Sequence, residues 1–554
     1  MTKPITFKGA HEMPPMAVSL ADMSYNQTGS WRYLRPVYLE KLPPCRGACP
    51  AGNDIPRALA LIAEGKLVEA WKLFRQTNPL PGVCGRVCYH PCESTCNRQH
   101  FDEVVSVAAL ERFVSDACFD HQEEISITKR RSEQIAIVGS GPAGLSCAYF
   151  LTQAGYAVTV FEAEAQLGGM LRVGIPSYRL PRAVLDNEIE RIQKRGVEFQ
   201  ANTRIGSDFD LERLWQRYDA IFIATGAHLS HPLGIPGESA PGVLTGLGFL
   251  KRVNKNERVE LGKRVLVIGG GNTAIDAART ARRLGAQPTV VYRRTRAEMP
   301  AIPEEIEEAE HEGIEFLYLT APQAIRRTAQ TLDVTFIRMQ LGQPEANGRR
   351  RPVPIPNSEF VVHAETLIAA IGEAPDLSFL EESLETSAGI VMSHPQSLLQ
   401  RAGVFLGGDA GTGPSTVVQA IASGRGAAQA IQNYLKDDWS ARKKVKLEEA
   451  TKLNWDYFLK KPRAQTSHLA SADRVRDFAE VKAALSATTA IAEAQRCLSC
   501  GVCNFCDNCQ IFCPDAAIAR HNGAYEVNLD YCKGCGVCAQ ECPRAVISLV
   551  EEER

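Results

Sequence analysis

The stretch "QIAIVGSGPAGLSCAYFLTQAGYAVTVFE", residues 134–162, reads as a β-branched strand, a glycine turn, an amphipathic helix, a second strand and then an acid. Gly139 allows the tight turn, Gly141 lets backbone approach a pyrophosphate, and Gly144 brings helix close to strand. The helix N-terminus faces the phosphates, where its unpaired N–H groups favour negative charge. Glu162, closing the second strand, is expected to bond a ribose hydroxyl. A glycine fingerprint alone is weak evidence, but strand, helix and acid at these spacings point to a dinucleotide-binding unit.

The same unit recurs at residues 264–294, "RVLVIGGGNTAIDAARTARRLGAQPTVVYRR". Gly269, Gly271 and Ala274 take the glycine positions and Asn272 opens the helix, but this unit ends in Arg293 and Arg294 instead of an acid. Arginines pair with a 2'-phosphate where an acid would repel it, so the second site leans to NADPH over NADH. The alternative is that Arg293, Arg294 and Arg296 form a solvated basic edge. Two such units imply a flavin and a nicotinamide held face to face. "YDAIFIATGA", with Thr225 and Gly226, and "AETLIAAIGEAPD", with Gly372, read as strands ending in glycine turns where the chain crosses between domains. "GVFLGGDAGTGPSTVVQAIASGRGAA" supplies Gly408 and Asp409 at a strand end and a helix opening at Thr416 and Val417. Asp409 is expected to accept from a ribityl hydroxyl, and that helix N-terminus to face the isoalloxazine. The order of these pieces inserts the nicotinamide domain into the flavin domain.

At 554 residues the chain is too long for one core, and three or four domains are expected. Nothing in a 45% hydrophobic, 23% charged composition with net charge -2 suggests nucleic acid or an anionic membrane as partner. No apolar run long enough to span a bilayer and no secretory leader is read, so a cytoplasmic protein is expected. The 18 cysteines fall in two groups, eight before residue 150 and ten after residue 496. In a reducing compartment such clustering favours metal ligation over disulfides.

At the C-terminal end, "CNFCDNCQIFCP" (503–514) and "CKGCGVCAQECP" (532–543) both read C-x2-C-x2-C-x3-C-P. In this two-cluster ferredoxin signature the fourth cysteine of each run ligates the other cluster. One 4Fe-4S centre is therefore expected on Cys503, Cys506, Cys509 and Cys542, and the other on Cys532, Cys535, Cys538 and Cys513. Zinc sites do not use two interleaved runs of this kind.

The run "LGGMLRVGIPSYRLPRAVLDNEIERI" (167–192), which carries Gly169 and Arg172 as expected cofactor contacts, the paired units and "VYRRTRAEMPA" (291–301) together resemble the small subunit of glutamate synthase and its relatives, among them the N-terminal half of dihydropyrimidine dehydrogenase. The opening "NQTGSWRYLRPVYLEKLPPCRGACPAGNDI" (26–55) resembles the DsrL-type NAD(P)H-dependent iron-sulfur flavoproteins. The resemblance implies exchange of electrons between NAD(P)H and a low-potential protein partner through FAD and 4Fe-4S clusters. It also implies that Cys49, Cys88 and Cys92 hold one N-terminal cluster with Glu111, and that Cys45 and Cys96 belong to a second, whose remaining pair is an upstream C-x-x-C. No cysteine precedes Cys45, and the Cys88–Cys92 spacing is shorter than in the family, so one cluster on any four of Cys45, Cys49, Cys84, Cys88, Cys92 and Cys96 stays open. Cys497 and Cys500, in "RCLSCG", match the missing pair; the other reading is an unliganded lead-in to the ferredoxin.

The expected architecture is multidomain α/β. A helical iron-sulfur domain spans 1–130, and an FAD domain spans 131–240 and 395–436, with an NAD(P) domain at 241–394. A helical linker (437–490) leads to a ferredoxin-like α+β domain at 491–554. The expected function is an NAD(P)H-dependent oxidoreductase. The alternative is an electron-transfer subunit of a larger complex, such as a 2-oxoacid:ferredoxin oxidoreductase, a sulfite reductase, a benzoyl-CoA reductase system or glutamate synthase, running in either direction. A ferredoxin or a large iron-sulfur oxidoreductase is the expected partner, with a homodimer or hetero-oligomer possible. No acid, base or nucleophile is required, and none is named.

Overall fold

The computed structural model describes residues 8–12, 27–123, 130–345, 348–380, 386–387, 390–391, 403–436, 450 and 452–552. Of the expected linker, residues 437–449 and 451 lie outside these, as do residues 395–402 of the expected FAD domain. The chain divides into two compact units, Cys45–Val445 with Lys461–Cys497, and Met1–Pro44 with Lys446–Lys460 and Leu498–Arg554.

In the larger unit, the first dinucleotide unit forms a five-stranded parallel sheet. Gln134–Val138 is at its centre, flanked by Ala157–Phe161 and Glu198–Gln200 on one side and Ala220–Ile223 and Val404–Leu406 on the other. Four consecutive buried residues at the end of Gln134–Val138 fit a strand covered on both faces, as parallel sheets are. The second parallel sheet runs in the order Glu315–Tyr318, Gln287–Tyr292, Arg264–Ile268, Thr366–Ala369, Val243–Thr245. All its strands lie in sequence between the fourth and fifth strands of the first sheet, Ala220–Ile223 and Val404–Leu406, so the insertion read from the sequence holds. A four-stranded antiparallel sheet of residues 320–364 adjoins it.

The N-terminal cysteines of this unit stand on short helices. Ile55, Leu59 and Ile62 of the helix Ile55–Ala63 recur at helical spacing and are buried, each contributing about 1.5–3 kcal/mol. The helices Pro81–Val87 and Val107–Ala117 pack so closely that a Cβ on Gly85 would stand 2.4 Å from the Arg112 nitrogen.

Residues 461–490 were expected as part of a helical linker and 491–497 as the start of the ferredoxin domain. In the structure residues 461–497 join the larger unit, mostly without regular secondary structure, with short helices Ser471–Arg474 and Ala487–Ala494. The second of these lies on Ile55–Ala63 and Val107–Ala117. Hydrogen bonds and an ion pair anchor the segment. Glu493 accepts from the Ser106 and Ala464 N–H groups, both at 2.8 Å, and Arg496 pairs with Glu493 at 2.7 Å.

The smaller unit corrects a second boundary. Residues 1–130 were expected as one domain, yet Leu34–Tyr38 pairs antiparallel with the C-terminal strand Ile547–Glu551, in the register Leu34 to Glu551 and Tyr38 to Ile547. Arg32 clamps this pairing through Glu552 and through the Cys532 carbonyl at 3.1 Å. The hairpin Ile518–His521/Ala524–Val527 and the short helices Asn508–Ile511 and Val537–Gln540 complete the ferredoxin-like fold. A strand edge accepts any extended segment that satisfies its hydrogen bonds, so the first strand of this module comes from far away in sequence.

Candidate functional site

A cavity of about 570 Å³ opens at the C-terminal edge of the first parallel sheet. That volume falls in the range of cofactor sites, and the position is the one open α/β sheets use for ligands. Its wall brings together Gly139, Gly141, Glu162, Gly169, Thr225, Gly226, Gly408, Asp409, Thr416 and Val417, which the sequence scattered over nearly 280 positions. Gly144 stands behind it, where a Cβ would meet the Gly139 carbonyl oxygen at 1.9 Å, the close helix–strand approach expected of it. Arg172 does not line the cavity; its guanidinium bonds the Leu167 carbonyl and Asp186.

Several wall groups are already held in place. Glu162 accepts from the Ser140 N–H at 3.0 Å and hydroxyl at 2.6 Å, which braces the glycine turn, and from the Glu164 N–H at 2.9 Å. Its carboxylate retains acceptor capacity for a ribose hydroxyl. Asp409 takes the Ser415 N–H at 3.0 Å and hydroxyl at 2.6 Å. Thr416 and Gln419 cap the helix Val417–Lys436 reciprocally: the Thr416 hydroxyl and N–H donate to Gln419 Oε1, and the Gln419 N–H donates to Thr416 Oγ1 at 3.3 Å. Burial lowers the pKa of His228, also in the wall. The buried Thr225 hydroxyl has no partner among the described residues, and a Cβ on Gly141 would meet only open space. An unpaired hydroxyl and a backbone open to close approach fit a polar ligand such as a dinucleotide.

In the second unit, Gly269 turns at φ +144°, where a Cβ would stand 2.1 Å from the Ala370 carbonyl oxygen, and Gly271 caps the helix Asn272–Arg283. The Asn272 side chain accepts from the Ile302 N–H at 3.0 Å and so fixes the following loop. Gly372 accepts from the His231 N–H at 3.0 Å at the crossover. The two arginines that end this unit differ. Arg294 is 3% exposed, donates to the Arg350 carbonyl at 2.7 Å and pairs with Glu345 at 2.8 Å, whereas Arg293 is exposed. Arg296 pairs with Glu310 at 3.2 Å.

The "GIPSYRLP" segment has a role the sequence did not reveal. Tyr178 is buried with Arg283 3.8 Å and Arg279 4.9 Å from its ring centre, and Arg179 pairs with Asp276 at 2.6 Å and Glu305 at 3.3 Å. Asp276 and both ring-facing arginines lie on the nucleotide-binding helix Asn272–Arg283, so this segment latches one dinucleotide domain to the other. Burial pushes Asp276 up to about 6 against the pull of Arg179. Burial acts on Glu305 the same way, but Arg179 and Arg279 hold it down at about 2. Residues 461–497 join the latch where His468 Nδ1 meets Glu308 at 2.6 Å.

Among the N-terminal cysteines, Cys49, Cys84 and Cys92 are buried and Cys88 is half-buried. Burial pushes Cys88 up to about 12, eased by the His90 N–H at 3.4 Å from its sulfur and reinforced by Glu111 and Cys49. Burial likewise raises Cys92, and there Glu93, Cys49, Cys88 and Glu111 add to it, so these groups are mutual neighbours. Cys84, given no ligand role on its own from the sequence, belongs to the same group, raised by burial and then by Glu111, Cys88 and Cys49. Glu111 accepts from the side-chain amides of Asn78 at 2.9 Å and Asn53 at 3.3 Å, and burial pushes it up to about 8. Thiols this hard to ionise become good ligands only when a metal offsets the thiolate charge, and this group fits that requirement. Cys497 follows the helix Ala487–Ala494, its N–H bonded to the Ala494 carbonyl at 3.1 Å, and packs on the same core as Cys45 and Cys96. Two residues beyond Cys96, Arg98 donates to the carbonyl of Arg496 at 2.6 Å.

In the smaller unit, Cys513, Cys532, Cys535 and Cys538 line one small cavity, the set expected from the interleaved motif. Burial raises Cys509, and Cys506, Cys542 and Cys503 raise it further, which identifies the other set as neighbours. The Ala517 N–H points to Cys513 Sγ at 3.3 Å and the Val546 N–H to Cys542 Sγ at 3.4 Å, matching contacts in the two halves. Among the described residues, no three His, Cys, Asp or Glu side chains converge closely enough to hold a lone metal ion.

Known proteins match this layout part by part. The pyridine nucleotide-disulphide oxidoreductase model covers residues 133–424, the 4Fe-4S cluster model of dihydropyrimidine dehydrogenase domain II covers 39–123, and a 4Fe-4S binding domain covers 525–548. The β subunit of an NADPH-Fe(3+) oxidoreductase from Geobacter sulfurreducens is 39% identical over 82% of this chain and 75% of its own length. The β subunit of an NADP(+)-dependent formate dehydrogenase from Moorella thermoacetica is 40% identical over 82% and 70%. The small chain of Escherichia coli glutamate synthase [NADPH] is 36% identical over 71% and 89%. In fold, the chain is similar to FprA from Mycobacterium tuberculosis in complex with NADPH, with a TM-score of 0.50 at 20% identity over 55% of this chain and 85% of that one. With FAD bound, a hydride's two electrons can be passed on singly, which is what joins a nicotinamide to 4Fe-4S clusters. No helix among the described residues is long and apolar enough to cross a membrane. The chain belongs to the pyridine nucleotide-disulphide oxidoreductase family, as an NAD(P)H-dependent iron-sulfur flavoprotein of the glutamate synthase small-chain type.

Proposed function

We propose that this chain is the NADPH-dependent electron-transfer subunit of a larger redox assembly, exchanging electrons with a low-potential protein partner, a ferredoxin or a large iron-sulfur oxidoreductase. The observation that carries this reading is the presence, in one chain, of an FAD-sized cavity and two separate groups of neighbouring cysteines. The exposed Arg293, at the end of a nucleotide-binding strand that carries no acid there, supports NADPH over NADH. Each of the three relatives described is a subunit or chain of a larger enzyme, which supports a partner protein.

In this reading FAD lies between Gly141, Glu162 and Asp409. Two clusters sit on Cys503, Cys506, Cys509, Cys542 and on Cys532, Cys535, Cys538, Cys513. Cys49, Cys88 and Cys92 hold an N-terminal cluster with Glu111, and Cys45, Cys96 and Cys497 serve a second. The formate dehydrogenase relative favours one variant, in which electrons arrive from the partner and NADP+ is reduced. Steady-state assays with a one-electron acceptor, run with NADPH and NADH on the isolated chain, test the reading. NADPH-dependent reduction with a kcat/KM at least tenfold that of NADH is expected. Absence of activity with both nucleotides in flavin-replete protein would overturn it.

A further inference from the structure

Two stacked tyrosines in the ferredoxin core differ in what their hydroxyls do. The rings of Tyr38 and Tyr525 lie 5.8 Å apart with 19° between their planes. Tyr525 is satisfied: its O–H donates to the Asp507 carboxylate and its oxygen accepts the Asp507 N–H at 3.1 Å. The Tyr38 oxygen is buried and, among the described residues, makes no hydrogen bond of ordinary geometry, the acceptor it faces being the Cys509 sulfur. Among the described residues of this unit, no other buried side-chain hydroxyl is left so. An unmet hydroxyl costs about 1–3 kcal/mol, so its retention in the core calls for an acceptor.

The acceptors around it are sulfur. Tyr38 packs on the core of Cys509, Ile518, Tyr525, Cys538 and Ile547, against which Cys503, Cys513 and Cys542 also pack. Burial raises its pKa, and the Cys509 sulfur facing the hydroxyl raises it further. The backbone contacts to sulfur described above are matched between the two halves, at 3.3 and 3.4 Å, and so favour neither. The tyrosine hydroxyl has no such twin.

We propose that Tyr38 is a positioning residue for electron transfer, whose O–H donates to the Cys509 side of the cluster held by Cys503, Cys506, Cys509 and Cys542 and makes that cluster the easier of the two to reduce. A donor aimed at cluster sulfur stabilises the extra negative charge that one added electron brings, and hydrogen bonds to sulfur are among the determinants of cluster potential. The strand Leu34–Tyr38 thereby completes the sheet and also sets the order in which the paired clusters fill. This inference rests on the two-cluster reading of the smaller unit.

The test is an EPR-monitored potentiometric titration of the full-length holoprotein and its Tyr38→Phe variant, with iron per FAD measured on both. About a tenfold fall in the one-electron reduction equilibrium of one C-terminal cluster is expected, a shift of about 59 mV to more negative potential, with the other clusters unmoved and iron unchanged. Unmoved potentials at full iron would overturn the inference. If Tyr38→Phe loses iron, 3-fluorotyrosine at position 38 keeps the ring and strengthens the donor; a positive shift then supports the role, and none overturns it. Native protein that lacks the C-terminal cluster signals would overturn the two-cluster reading instead.

Discussion

Arg294 turns inward to Glu345 and the Arg350 carbonyl and leaves its neighbour Arg293 exposed at the end of the strand Gln287–Tyr292. Both were expected to meet a 2'-phosphate, but only Arg293 is available to do so without breaking an existing ion pair. A charge-assisted hydrogen bond contributes about 1.5–3 kcal/mol. Arg293→Ala should therefore weaken NADPH binding by about 10- to 100-fold and leave NADH unchanged, as measured by flavin-reduction kinetics with each nucleotide. Arg294→Ala should lower thermal stability with little change in the NADPH-to-NADH ratio. The reverse pattern would return the phosphate to Arg294.

Glu305 is held down at about 2 by Arg179 and Arg279, against its own burial. A depressed carboxylate pKa contributes stability that is present above the unfolded value of 4.5 and is lost as pH falls towards 2. Glu305→Gln leaves both arginines partly unpaired in the interior, and should cost about 3–5 kcal/mol at neutral pH. Thermal melts of the cluster-free chain should show this deficit shrinking between pH 5 and pH 3. A deficit independent of pH would mean that the ion pairing does not carry the latch.

The interleaved ligation of the ferredoxin clusters predicts a pattern in double variants. Cys506→Ala with Cys542→Ala strikes one cluster twice, whereas Cys506→Ala with Cys513→Ala strikes both. Iron analysis and EPR should therefore show one C-terminal cluster lost in the first pair and two in the second. Equal losses would refute the cross-run assignment.

Cys497 packs on the core that also carries Cys45 and Cys96. Cys497→Ala should lower iron per FAD, and adding Cys45→Ala should lower it no further. Unchanged iron in Cys497→Ala would leave this cysteine a packing residue.

The residues that line the cavity were legible because each sits in a local strand–turn–helix whose glycines and caps have short-range causes; Gly141, Asp409 and Thr416 all lie in its wall. The paired ferredoxin runs were legible for the same reason, since their spacing dictates the neighbours. What escaped were relationships made across the chain. Leu34–Tyr38 carries Pro36 and a weak alternation, and its strand character comes from pairing with Ile547–Glu551. Arg463 pairs with Glu93 and donates to the Ser106 hydroxyl at 2.7 Å, more than 350 positions away in sequence. Arg172, next to the cofactor glycines in sequence, is drawn off by Asp186. No local pattern records which acid lies opposite a given arginine once the chain has folded.

The central claim is that hydride electrons from NADPH reach the clusters of this chain through bound FAD. An anaerobic reductive titration with NADPH, with NADH in parallel, followed by EPR, tests it most directly. Cluster signals that develop with NADPH as the flavin bleaches are the predicted result. If NADPH leaves both flavin and clusters oxidised while dithionite reduces both, the claim is contradicted.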